Sequence, residues 1–235
     1  MRIRDYNPED YNALPDVMDA DESIKKDNIK VRFLEEALAC FSKHNAQDEF
    51  LVILLHKHND VGESEIMLED EETLPSGKSA LTTRKAPIRE KSQDHRPCKL
   101  KFSNGEAIPI EFSSDPEASA SFDALMKKED FLKDFSRLID KFDASNSFGI
   151  GMKNREMSRR ISEDEVLAEM IDTDRVANIL TAESATVAED AIETSWSFQN
   201  DKVAAYGRYL AVTWCIVRGP GHSLEPRHFG AGDVA

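Results

Sequence analysis

The sequence is short of cysteine, of bases and of long apolar runs. Its three Cys, at 40, 98 and 215, are too few and too scattered for a disulfide framework. No Asn-x-Ser/Thr acceptor occurs, so nothing calls for the secretory pathway. The first eleven residues are polar and acidic, without the apolar core of a secretory signal. The longest apolar stretches, 50–55 and 209–217, fall far short of the ~20 residues a membrane helix needs. Bases number 30 against 45 acids, a formal charge of −15. That balance works against nucleic acid and anionic membranes as partners, because both would repel the average surface. These deficits predict a soluble, reduced, cytoplasmic chain.

What is present suits one compact domain. Hydrophobic residues make up 40% and charged residues 32% of 235, enough for a core with long solvated segments around it. Residues 1–27 carry eight acids and four bases and read as a flexible acidic arm. A single domain is expected over 28–217, with a polar loop at 70–98, followed by a Gly/Pro/His tail at 218–235. The loop reading rests on charge: an acidic run over 60–72 gives way to a segment rich in Lys, Arg and Pro, and the two are expected to attract each other.

Local pattern then sets the elements. Phe33, Leu34, Ala37, Leu38 and Phe41 recur at three- and four-residue steps and predict a helix over 28–44. A second apolar stripe from Phe122 to Phe142 predicts one helix over about 121–142. The run Phe50-Leu-Val-Ile-Leu-Leu55 reads as a buried strand, with others at 65–69, 148–152, 195–198 and 208–217. Ser103-Asn-Gly105 between two strand-like runs marks a β-hairpin. Residues 162–181 fit a capped helix or a hairpin equally well. The fold class is α+β: antiparallel strands, two helices packed on one face and a long polar insertion loop.

The residues that carry chemistry begin where the 50–55 strand ends. In extended chain, side chains alternate, so His56 and His58 project from one face. Glu63, beyond a turn, offers a carboxylate. Two imidazoles and a carboxylate are the ligand set of an open-sided divalent metal site. Cys215, His222 and His228 form a second candidate, with a further ligand drawn from His56 or His58. Ser76-Gly-Lys-Ser79 lacks the first glycine of a phosphate loop, and no nucleophile elbow occurs.

His56-x-His58 followed by Glu63 resembles the first motif of the cupin barrel, where that pattern supplies three metal ligands. A later Pro-x-Gly-x-x-His supplies a fourth in that family; here Pro75-Ser-Gly77 is followed by Ala80 in place of the His. Residues 31–69 also resemble a set of small uncharacterised proteins of filamentous ascomycete fungi, through Leu54-Leu-His-Lys-His58 and Gly62-Glu63. Phe148-Gly-Ile-Gly151, Ser195-Trp-Ser-Phe198 and the segment from Cys215 to His228 follow in similar order. Some such proteins are encoded beside specialised-metabolite genes.

Three functions follow as expectations. The first is an accessory protein of fungal specialised metabolism that binds a small molecule or assists an enzyme. The second is a mononuclear metal-dependent, cupin-like enzyme using His56, His58 and Glu63 around one divalent ion. The third is a protein–protein adaptor that presents the acidic surface and the basic segment over 78–101.

Overall fold

The computed structural model describes residues 1–73, 79–155, 165–172, 175–182, 191–198 and 210–216. The chain opens with β1 (Arg2–Ile3), α1 (Pro8–Asn12), α2 (Val17–Lys25) and α3 (Ile29–Lys43). The strands β2 (Phe50–Leu54), β3 (Glu65–Thr73), β4 (Ser79–Pro87), β5 (Arg96–Ser103) and β6 (Glu106–Ser113) come next. Two helices, α4 (Pro116–Leu125) and α5 (Glu129–Phe142), precede β7 (Phe148–Met152). The last four strands are β8 (Glu165–Asp172), β9 (Arg175–Ala182), β10 (Ala191–Ser197) and β11 (Leu210–Ile216).

One sheet takes up all the strands, and it curls back on itself. Its order is β1-β6-β3-β4-β9-β8-β11-β10-β2-β7-β5, and β5 pairs again with β6. Ten strands therefore form a ring, while β1 adds two residues alongside the start of β6. Ring closure satisfies the backbone groups that an open sheet would leave at its edges. The sheet is mixed: β3 runs parallel to β6 and β8 parallel to β11, whereas the other ring neighbours are antiparallel. The expectation of antiparallel strands alone is corrected on this point. Parallel pairing needs a crossover connection; β4 and β5 lie in the chain between β3 and β6, and β9 and β10 between β8 and β11.

Strand β2 is buried on both faces, and its side chains divide the core. Phe50, Val52 and Leu54 join the cluster formed by Phe33, Phe41, Phe131 and Phe135 from the helices. Phe33 stacks on Phe148 of β7 with ring centroids 4.1 Å apart, and Phe50 stacks on Phe131 at 5.7 Å. Leu51, Ile53 and Leu55 point the other way, towards Tyr11, Met67 and Ile110. Gly149 is required where β7 meets β5: a Cβ there would lie 2.3 Å from the Leu100 carbonyl oxygen and 2.8 Å from Leu55 Cδ2.

Several sequence expectations are corrected here. Residues 1–27 do not form a loose arm: Tyr11, Leu14, Val17, Ala20 and Ile24 recur at helical steps and are buried. Within the range 70–98, expected as one loop, residues 70–73 belong to β3, 79–87 to β4 and 96–98 to β5. β3 pairs with β4 from Glu65↔Pro87 to Thr73↔Ser79, so Glu69, Asp70, Glu71 and Glu72 lie opposite Thr83, Thr82, Leu81 and Ala80, while Arg84 and Lys85 lie opposite Leu68 and Met67. The stripe over 121–142 belongs to two helices, not one. The chain leaves helical geometry at Lys128 (φ −102°, ψ 56°), while α4 starts earlier, at Pro116, capped by Asp115. Residues 165–172 and 175–182, expected as a capped helix or a hairpin, pair as the antiparallel strands β8 and β9. At the β5–β6 turn, Asn104 and Gly105 take φ values of 53° and 76°, as a tight hairpin of this kind demands.

Candidate metal centre and interior charge cluster

Immediately after β2 the chain is pinned from outside. The Lys57 backbone N–H donates to the Pro15 carbonyl at 2.9 Å, and Lys57 Nζ reaches Asp60 Oδ1 at 2.8 Å. With Lys57 held outward, the flanking His56 and His58 turn to the same side, as alternation requires. Their rings meet edge to face, with centroids 4.6 Å apart. The His56 Nδ1–H donates to the Leu54 carbonyl at 2.9 Å. That bond leaves the lone pair on Nε2. The backbone N–H of His58 donates to the Tyr11 hydroxyl at 3.4 Å.

Across from this pair stands Glu169 of β8. Its Oε2 lies 3.7 Å from His56 Nε2, and Thr194 Oγ1 donates to it at 3.0 Å. Lys99 Nζ, on β5, lies 3.9 Å from Glu169 Oε1 and 2.9 Å from Glu111 Oε2 on β6. β5 and β8 are not neighbours: β7, β2, β10 and β11 stand between them in the ring. Side chains from strands so far apart along the sheet meet only across its interior. Ser195 Oγ also donates to Thr213 Oγ1 at 2.7 Å, and both residues are buried.

The electrostatics follow from burial and pairing. Burial pushes Lys99 down, but the carboxylates of Glu111 and Glu169 outweigh it and hold the ammonium above its ordinary range. Burial pushes Glu169 up, yet Lys99 and the imidazoles of His56 and His58 bring it below the usual carboxylate value. Burial lowers His56, and it takes His58 down to about 3 with help from its neighbour His56. Both rings are therefore neutral at physiological pH. Lys99 keeps 24% of its side-chain surface accessible while it pairs with both carboxylates.

Cys215 of β11 completes a set of soft donors. One donor atom each from His56, His58 and Cys215 lie within 4.8 Å of one another. Cys215 is register partner to Glu169, and burial pushes its thiol up. His56 Nε2 and His58 Nδ1 are buried without a hydrogen-bond partner.

Glu63 does not join this group and is corrected as a ligand. It sits exposed in the turn before β3, where the Gly62 N–H is held by Glu65 Oε2 and the chain faces outward. Cys215 lies beside His56 and His58, the pair from which a further ligand was expected; His222 and His228 fall outside the described residues. Of the basic segment over 78–101, expected as an adaptor surface, residues 79–87 lie in β4 and 96–101 in β5, with Lys99 turned inward. His95 is elsewhere: its Nε2 lies 3.0 Å from Asp70 Oδ1 and its Nδ1 2.9 Å from Ser92 Oγ, tying the turn before β5 to β3. Lys99, Glu111 and Glu169 were missed because each reads as a lone charge on the wet face of a strand. The signal that singles them out is ring closure. No helix among the described residues is long and apolar enough to cross a membrane.

Matched against models of protein families, curated proteins and solved structures, the chain finds no match in any of the three.

Proposed function

We propose that the protein works through the interior of its closed sheet, where it takes up a small polar molecule as an accessory component of a biosynthetic pathway. The observation that supports this reading is the meeting of Lys99 with Glu111 and Glu169 inside the ring, beside bare Lys99 surface. A fold does not need ions there. Buried ion pairs are commonly no more stabilising than well-packed apolar side chains of similar volume. Sites that depart from the consistent apolar pattern of a core are where function is expected.

The surrounding groups suggest the chemistry of the guest. The hydroxyls of Thr194, Ser195 and Thr213, with the neutral imidazoles of His56 and His58, offer hydrogen bonds of both polarities. Glu111 and Glu169 outnumber Lys99, so the interior favours a neutral or cationic guest over an anion. The resemblance of residues 31–69 to fungal proteins supports specialised metabolism as the setting.

Native mass spectrometry tests the reading. Tag-free protein is mixed with the small-molecule fraction extracted from cells of its own organism. Wild type is expected to retain an organic adduct that is lost in both Lys99→Met and Glu169→Gln. Folded wild type that emerges bare would end the reading.

A further inference from the structure

We propose that His56, His58 and Cys215 form a binding site for one divalent metal ion of the zinc class. This deepens the preceding reading, on which it rests, by giving the interior a cofactor.

Convergence is the first support. The three donors come from the end of β2 and from β11, which are 157 positions apart between His58 and Cys215, yet they gather within 4.8 Å of one another. Zinc bound at about 2.0–2.1 Å by nitrogen and about 2.3 Å by sulfur places its donors roughly 3.5 Å apart. Closure by about 1 Å reaches that shell, a shift that side-chain torsions supply.

The second support is independent. His56 Nε2 and His58 Nδ1 are buried polar atoms with no hydrogen-bond partner, and only 3% of the His56 side chain is exposed. Buried nitrogen without a partner is costly. A metal ion removes that cost at both rings at once. The His56 Nδ1–H is already given to the Leu54 carbonyl, the outer bond that fixes the tautomer and orientation of a metal-bound histidine.

Charge points the same way. Among the described residues that meet there, Glu111 and Glu169 face a single ammonium, Lys99. The surplus is one negative charge. A divalent ion that binds Cys215 as thiolate brings the group to neutrality, with one proton leaving the thiol for bulk water as the metal–sulfur bond forms. Two imidazoles and a thiolate are too soft a set for Mg²⁺ or Ca²⁺ and suit zinc. With three protein donors, the fourth position is left to water or to an oxygen of the guest, beside Glu169. A metal there supplies Lewis-acid polarisation of that oxygen.

Cobalt(II) is the probe, added to tag-free, chelator-treated protein whose fold is checked by circular dichroism. One equivalent is expected to bind with a thiolate-to-cobalt charge-transfer band, release about one proton and be displaced by zinc. Cys215→Ser is expected to abolish the band, and His56→Ala or His58→Ala to weaken binding at least about 100-fold. Folded wild type that binds no cobalt, or binds it without the band, overturns the proposal, and that result needs no variant to fold. If cobalt is not bound but the organic adduct is retained, the metal site alone falls. If adduct and metal are both absent, the interior reading falls with it.

Discussion

Lys99 Nζ and Glu169 Oε1 stand 3.9 Å apart although four strands of the ring lie between their own. The contact sets the width of the interior at that level. Eight strands enclose about as much space as side chains can fill, and ten enclose more. Long Lys and Glu side chains span such a gap, and the interior is bridged by charge at that level.

Gly149 lies where β7 packs closely against β5. A methyl group there meets the Leu100 carbonyl at 2.3 Å, a backbone atom that no rotamer change removes. Gly149→Ala is expected to destabilise the fold by about 1–3 kcal/mol, the usual cost of overpacking. Urea denaturation reads the loss as a lower midpoint at unchanged slope. A loss below about 0.5 kcal/mol, the range of ordinary surface substitutions, would contradict the close approach of β7 to β5.

Glu69 gives the fold a pH dependence of definite sign. Burial raises its carboxyl to about 7, against the pull of the hydrogen bond that Ser113 Oγ donates at 2.7 Å. The native state keeps a proton that the unfolded chain releases at the ordinary carboxylate value. The group's contribution is therefore complete below about pH 4.3 and is lost as pH rises through about 7. Glu69→Gln is neutral and nearly isosteric, so it removes that loss. Between about pH 5 and about pH 8 the variant's melting temperature is expected to fall by several degrees less than that of wild type. Parallel curves would show that Glu69 titrates as an ordinary carboxylate.

Much of the fold is written in local chemistry. β2 and β7 follow from short apolar runs, and the β5–β6 turn follows from Asn104-Gly105, whose positive φ values few other pairs tolerate. The first 27 residues were legible too, since Tyr11, Leu14, Val17, Ala20 and Ile24 keep a helical step; their charge count concealed it. The helix break at Lys128 was not legible, because a stripe that continues across a break looks unbroken. The β3–β4 pair was obscured by polarity: the acidic end of β3 and the Thr, Arg and Lys of β4 match the composition of a loop.

The site divides in the same way. His56 and His58 share a face because they are two residues apart, and that spacing is local. Glu63 was a poor choice because proximity in sequence stood in for proximity in space. Glu169 and Cys215 come from strands that only sheet closure brings to the His pair, and no window of sequence contains that closure. Lys99 sits between Cys98 and Leu100, and Glu111 between Ile110 and Phe112. Such alternation reads as one dry and one wet face; in a ring, the second face is the interior.

The most direct test is a double-mutant cycle in chemical denaturation on Lys99→Met and Glu169→Gln. If the two side chains meet inside the ring, each single change strands a partner. The double variant should then be less destabilised than the sum of the singles by at least about 1 kcal/mol. Simple additivity, within the roughly 0.3–0.5 kcal/mol typical of distant sites, would contradict it: β5 and β8 would not face each other, and the interior site would not exist.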